Sequence, residues 1–452
     1  MQELEQLPKP VEEQNTITSQ TTAKKKDAPD TSGLEAAVGM SRKWDAREAG
    51  REVAETAIKG LTRPPDFFLL FSTIHYEKHG GFQEFINGVW DVLPKGTPLI
   101  GGTVVGFMNN YGCYTRGASA LAVSYSNMDV SIGIGHNTKK NPNKAAENCA
   151  RNILKNFKDS NYKESFVFQL VSGPTMPHFP GFGSGFILKG KVRSALASKL
   201  IEVSTKRLQK GIGREDEVLE KMSKSMEYTH IMSGSSSDDM KLSKNYQFFN
   251  REIFNNSVVA IGLKSDRKMN LKYGHGFHRL FDQALKVTKK AFGGKIIKKI
   301  NNVNAVNEFI KMIHWSEDML DERLHEKTFF FPLGFEYADK TLSPAAIGAI
   351  LGGGFSFSFR ANSDNLFVLT ASGQSIVNAI DACMDRDSIL TFGISCCANL
   401  VTLGDDIYRV QEQIQKYLKD FLVIFTLGEG VYLPSEKIPK FFNETNIVLS
   451  IK

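Results

Sequence analysis

PDFFLLFS at residues 65–72, answered by PLIGGTVVG at residues 98–106, is the passage that decides the fold. Each reads as a short apolar strand. Between them Phe82, Phe85, Ile86, Val89, Trp90 and Leu93 stand at i, i+3, i+4, i+7, i+8 and i+11, the spacing of a single helical stripe. Strand, helix and strand in that order predict two parallel neighbours joined by a crossover. The second strand runs into glycines, which let the backbone turn sharply or approach another group closely.

The same sequence of elements returns twice. Residues 66–72, 98–107 and 118–124 are followed by 165–174, 228–239 and 258–263, and then by 388–397, 421–431 and 446–451. After each second strand the chain reads GGTVVG at 101–106, SGSSSDD at 233–239 and LGEG at 427–430, all expected to be loops at strand ends, where α/β proteins commonly hold ligands. VSIGIGH at 130–136 can also be laid on MNLKYGH at 269–275. Matches repeated in one order predict a duplicated unit.

In the third copy Ile407, Val410, Ile414, Leu418 and Phe421 supply the helical stripe. In the second, residues 176–227 form an insertion. It opens on HFPGFGSGF at 178–186 and continues as an expected helix bearing Val192, Ala195, Leu196, Leu200 and Val203, with a lid and a decoration both open as readings. Further helices are expected over 144–157, 276–289, 303–313 and 375–384, and a hairpin over 355–370 that turns at 361–365. The fold class expected is mixed α/β (α+β), with parallel and antiparallel strands in sheets flanked by helices, built from repeated β-α-β-loop-β units.

The chain has 452 residues, 41% of them hydrophobic, enough for a sizeable core. It has no run of about twenty apolar residues, so no membrane insertion is expected. Residues 1–40, rich in Gln, Glu, Lys, Thr and Ser, are expected to form a disordered polar tail. Five cysteines, an odd number without CxxC spacing, argue against a disulfide framework or a zinc site and for a reducing cytoplasm. The formal charge is +7, and the six lysines between 286 and 299 are expected to form a solvated face, with no nucleic acid as partner. GGG at 352–354 lacks the GK[ST] of a phosphate loop. No cofactor and no metal are expected.

Several residues carry possible chemistry. Ser235, Ser236 and Ser237 with Asp238 and Asp239 can hold the ammonium and carboxylate of a zwitterion, or can simply cap their own turn. Glu429, between Gly428 and Gly430, can receive an ammonium group. Cys396 and Cys397 at a strand end can form a reactive thiol or a buried, inert one. His136 and His275 end comparable strands and can converge on a cleft or merely terminate a sheet. A serine or cysteine nucleophile needs a base within reach, and no motif ties an imidazole to either.

The ordered landmarks PDFFLLFS, PLIGGTVVG, SGSSSDD and YQFFN (246–250) resemble the N-terminal part of the FIST family. VTKKAFGGKIIKKINNVNAVNEFIK (287–311) looks like the join between that family's halves, and FPLGF (331–335), LGEG and FFNETNIVLSI (441–451) look like its C-terminal part. The resemblance implies three regions: the tail over 1–40, a FIST N-like domain over 41–315 carrying the 176–227 insertion, and a FIST C-like domain over 316–452. It also implies small-molecule sensing, with amino acids as the proposed ligands, and coupling to signal transduction; with the cysteine usage, the expected protein is a cytoplasmic, non-enzymatic sensor that signals through a separate partner protein. The ligand set expected is Gly101, Gly102, Thr103, Gly234, Ser235, Ser236, Asp238, Cys396, Gly428 and Glu429.

There are departures from the family pattern. The first loop has Gly101-Gly102 and Gly106-Phe107 where a cysteine and Gly-Glu are frequent, and Cys396-Cys397-Ala398-Asn399 lacks the frequent arginine. Two alternatives therefore stay open: a hydrolase or transferase using Ser235–Ser237 or Cys396, and a structural adaptor without a ligand.

Overall fold

Glu35–Ser41 is the first strand, β1, of the computed structural model, which describes residues 33–157, 160–176, 187–188, 199–316 and 327–452. It is followed by α1 (Ala46–Lys59), β2 (Phe67–Ser72), α2 (Phe82–Trp90), β3 (Leu99–Thr103), the short strands β4 (Gly106–Asn109) and β5 (Gly112–Tyr114), and β6 (Ala118–Ser124). Then come β7 (Met128–His136), α3 (Pro142–Asn156), β8 (Glu164–Ser172), α4 (Glu215–Ser225), β9 (His230–Ser236), β10 (Gln247–Phe249), β11 (Glu252–Phe254) and β12 (Ser257–Ser265). The third series is β13 (Met269–Gly274), α5 (Gly373–Cys383), β14 (Leu390–Cys396), α6 (Asp406–Gln415), β15 (Phe421–Thr426), β16 (Glu429–Tyr432), β17 (Lys440–Phe442) and β18 (Asn446–Ile451).

These strands build three six-stranded sheets of one order: β1-β6-β2-β3-β10-β11, β7-β12-β8-β9-β16-β17 and β13-β18-β14-β15-β4-β5. In each, the two strands joined through a helix are parallel, as in Phe68 opposite Leu99, His230 opposite Phe166 and Thr391 opposite Phe421, and the remaining pairs are antiparallel. The last two places in every sheet are taken by a hairpin from a different series. β4–β5 crosses to β15, β10–β11 to β3, and β16–β17 to β9. The exchange runs through all three sheets and closes on itself.

The inner faces of the three sheets enclose one apolar core. At its centre Phe71 of β2, Phe168 of β8 and Phe392 of β14 meet, with ring centroids 6.0, 5.8 and 4.8 Å apart. Rings at these separations add attraction beyond the area they bury. The outer faces carry the helices. α1 and α2 cover the first sheet, α3 and α4 the second, and α5 and α6 the third. In α1, Ala46, Ala49, Val53, Ala54 and Ala57 form the buried stripe, and the Asp45 carboxylate caps the helix by accepting from Glu48 N–H at 3.0 Å.

A fourth sheet has ten strands, nine of them inserted between β13 and α5 and the tenth, Ile187–Leu188, at its edge. It packs against the helix-covered side of the second sheet, sharing a core with Val218, Leu219 and Met222 of α4.

Several expectations need correction. The tail does not extend to residue 40, because Glu35–Ser41 pairs in full with β6 and buries Val38. The polarity of the preceding residues masked a strand too short to announce itself. Residues 276–289 are not a helix: His278–Arg279 and Leu285–Ala291 are strands of the fourth sheet. Gly354–Ser356 and Asn365–Thr370 are strands but do not form a hairpin, the first pairing with Ile296–Ile297 and Ala349–Leu351, the second with Leu333–Phe335. Lys295 is buried, not solvated, and donates to Gly213 O, Asp216 Oδ1 and Ser358 O, each at 2.7 Å. Gly33–Lys452 packs as one unit, because strands from both sides of residue 315 share sheets, so the 315/316 boundary is not a packing boundary. The expected helix over 192–203 and the 178–186 stretch lie largely outside the described residues.

Helices do occupy Pro142–Asn156, Ala305–Met312 and Gly373–Cys383, where apolar periodicity places them.

Candidate functional site

The stretches expected to be loops after the second strands are largely strand. Gly101, Gly102 and Thr103 belong to β3, Ser233–Ser236 to β9, and Glu429 and Gly430 to β16. Their ends meet through backbone bonds between series. Ser237 N–H donates to Thr103 O at 2.9 Å, Ser235 N–H to Gly428 O at 3.1 Å, and Val105 N–H to Phe425 O at 3.0 Å. This junction is packed solid rather than open. A Cβ at Gly101 would stand 1.7 Å from Leu70 O, and one at Gly102 2.4 Å from Tyr246 O, so both glycines serve close backbone approach.

Beside the junction, at the end of the third sheet, lies a cavity of about 90 Å³. Cys396 and Cys397 line it from β14 and its exit, Leu427 from the β15–β16 turn, and Asn443 from the approach to β18. Pro174, Met240 and Leu242 close it from the second series, and Phe329, Ala346, Ile347, Gly348 and Ser358 from the inserted segment. Among the described residues the lining carries no charged side chain and is mainly apolar. Asn443 holds the walls together, donating to Leu427 O at 2.8 Å and accepting from Ala346 N–H at 3.1 Å and Ser358 Oγ at 3.2 Å.

Behind the Cys396 wall sit two carboxyl groups, Glu429 and Glu444, both fully buried. Glu429 accepts from Thr426 Oγ1 at 2.7 Å, while among the described residues its Oε2 and both oxygens of Glu444 meet no partner at hydrogen-bond geometry. Burial, reinforced by the Cys396 thiol, holds the Glu429 carboxyl well above the usual range, and burial with Glu429 beside it does the same to Glu444. Burial thus favours the protonated form of both in the folded protein. Gln247 of β10 shows what a satisfied group does in the corresponding setting. It donates to Ser236 Oγ at 2.6 Å and accepts from Ser257 N–H at 3.1 Å, whereas Glu429 is held by Thr426 and faces the Thr445 N–H.

Of the residues expected to bind ligand, only Cys396 lines this cavity. Glu429 lies one layer behind it, and Gly428 adjoins Leu427 with no room for a Cβ, which would meet the Phe441 ring at 2.8 Å. Ser235 is buried with its hydroxyl unpartnered, and a Cβ at Gly234 would stand 3.0 Å from Thr426 Cγ2. Ser236 donates to Val171 O and Asn245 Oδ1, each at 3.1 Å. Asp238 caps its own turn, accepting from the N–H groups of Leu242, Ser243 and Lys244 at 2.9, 2.7 and 3.2 Å. Thr103 accepts from Tyr246 N–H at 3.0 Å. Sequence reasoning missed Asn443 and Glu444, although an acid between β17 and β18, in FFNETNIVLSI, was a visible oddity.

His136 and His275 do not converge on one cleft. His136 Nδ1 meets Ser257 Oγ at 3.1 Å, whereas His275 donates to Leu342 O and accepts from Phe277 N–H, and burial brings its imidazole down to about 4. All five cysteines are free and buried, and burial pushes the thiols of Cys113 and Cys383 up to about 12 and that of Cys396 well above its ordinary value. Among the described residues no group of three or more His, Cys, Asp or Glu side chains is placed to hold a metal ion, and no helix is long and apolar enough to cross a membrane.

Three helix-covered sheets around one core, with a small cavity at a strand end, define a mixed α/β protein with room for a small ligand. The profile of the FIST N domain matches residues 66–303, more than half of the chain, and the chain belongs to that family. FIST domains are sensory domains of signal-transduction proteins and respond to small ligands. No curated protein matches the chain.

Proposed function

We propose that this FIST-family chain is a cytoplasmic, non-enzymatic sensor that takes a small aliphatic amine, in the first instance an amino acid, in the cavity beside Cys396, and that a separate protein reads the occupied state. One observation carries this reading: two buried carboxyls, Glu429 and Glu444, stand behind the cavity wall with three oxygens unpartnered. Buried polar atoms are normally paired, and a carboxyl held neutral by burial gains most from an arriving cation. An aliphatic side chain suits the apolar lining, and an ammonium reaches Glu429 once the Cys396 thiol turns aside. We read the common strand order of the three sheets as an internal triplication, with residues 269–452 forming the third copy and the fourth sheet inserted into it.

Binding is favoured over catalysis because burial raises the Cys396 thiol and no imidazole among the described residues bonds Cys396 or Ser235. The five unpaired cysteines fit a reducing compartment.

The test is calorimetric titration with aliphatic amino acids and their decarboxylated amines, in two buffers of different ionisation enthalpy. The expected result is binding with release of a proton, because the neutral carboxyl ionises as the ammonium docks, and weakening by about 1.5–3 kcal/mol in Glu429→Gln. Binding without proton release would remove the carboxyls from the site. Absence of any binding would leave the adaptor reading.

A further inference from the structure

The second sheet has a cavity at the place that corresponds to the one beside Cys396, and its chemistry is the opposite. Ser172 ends β8 as Cys396 ends β14, Asn245 precedes Gln247 by two residues as Leu427 precedes Glu429, and Asn255 precedes Ser257 as Asn443 precedes Thr445. Each of these six residues lines its cavity. Here, however, the space is larger, about 400 Å³, and its walls include Thr175, Lys210, Ser243, Lys244 and Asn256.

Behind these walls lies Lys139, fully buried. Its ammonium donates to Asn256 Oδ1 at 3.1 Å, Thr175 Oγ1 at 3.2 Å and Ser172 Oγ at 3.4 Å, three neutral acceptors that all face the cavity. No carboxylate of the described residues lies within ion-pair distance of Lys139. The carboxyl that acts on it from farther away is Glu215, which burial pushes upward while burial pulls Lys139 downward. Lys210 stands exposed at the rim and makes no ion pair among the described residues, and Lys244 pairs with Glu77 at 2.5 Å. Asp238 is taken up by its own turn, and Asp239 pairs with Lys241. The Thr175 hydroxyl accepts from Lys139 and keeps its own proton to donate.

A buried ammonium with no carboxylate at ion-pair distance is costly, Glu215 acting on it only at longer range, and an anion in the adjoining space adds a close counter-charge. We propose that this cavity is a second ligand site, for a small molecule bearing an oxyanion, either a carboxylate or a phosphate, received by Thr175 and Lys210 under the charge of Lys139. It does not rest on the amine reading of the first cavity.

Calorimetric titrations of the full chain with inorganic phosphate and with succinate, at matched ionic strength in chloride, test the proposal. One or both should bind, and which one does distinguishes a phosphorylated from a carboxylated ligand. Lys210→Ala, an exposed change that leaves the fold intact, should weaken binding about tenfold, and Lys139→Met should abolish it. Leu427→Phe, which fills the other cavity, should leave it unchanged. No heat from either anion up to about 10 mM, or equal binding by wild type and Lys210→Ala, overturns the proposal.

Discussion

Glu444 stands beside Glu429 in the interior, and on top of the larger effect of burial Glu429 raises the resistance of Glu444 to ionising, as the Cys396 thiol does for Glu429. In the unfolded chain both ionise near the ordinary glutamate value of about 4.3. From that pH up to their raised folded values, the folded state binds more protons than the unfolded one, so stability is fully present on the acid side and falls as pH rises. His75 and His275, both brought down to about 4 by burial first of all, act with the opposite sign below their ordinary value of 6.5. Urea unfolding of wild type and Glu429→Gln side by side between roughly pH 7 and pH 8.5 therefore separates this carboxyl from the histidines and, by difference, from Glu215 and Lys139, which titrate in the same window. Stability should fall there by up to about 1.4 kcal/mol per pH unit for each carboxyl still protonated, and Glu429→Gln should flatten the slope. An unchanged slope would show that Glu429 is already ionised.

Glu444 also carries a strained backbone, with φ at 56°, at the turn into β18. Asn256, at the corresponding turn into β12, has φ at 49°, and asparagine tolerates that region better than glutamate. Glu444→Asn should raise stability by about 1 kcal/mol in denaturant unfolding while removing the response to amines. A stabilised variant that still binds would separate Glu444 from the site.

Gly428 has no positive φ, so its need for glycine is spatial. Gly428→Val drives a side chain into the Phe441 ring and towards Ser235 Oγ, 3.2 Å from the added Cβ, and should cost about 1–3 kcal/mol. A stability within about 0.5 kcal/mol of wild type would mean that Phe441 yields freely.

A chain beginning at residue 42 lacks β1. It exposes one edge of β6 and the apolar residues that Val38 covers, and its melting temperature should fall by about 5 °C or more. Thermal unfolding followed by circular dichroism reads this directly. A shift below about 2 °C would mean that β1 contributes little.

Local patterning was enough to find most elements of the three six-stranded sheets. The apolar runs 67–72, 166–171 and 421–426 are strands, and the stripes of α2 and α6 are helices between parallel neighbours, because hydrophobic period and strand length depend on residues close in the chain. Where periodicity was ambiguous, as in 276–289, neighbouring strands of the fourth sheet overrode helical spacing.

The site depended on contacts that no local pattern records. The polar stretch SGSSSDD advertised a ligand, but the structure spends Ser236 and Asp238 on internal hydrogen bonds. Leu427 looked like a simple strand-end residue, yet it faces a cavity because the inserted segment places Ala346 and Ser358 opposite it. Sequence determined that Glu429 lies between two glycines at a strand end. Only the tertiary structure decided that its carboxyl is held well above the usual range and lies beside Glu444, because β16 crosses to pair with β9 while β18 pairs with β14, and burial by distant segments raises the pKa of both.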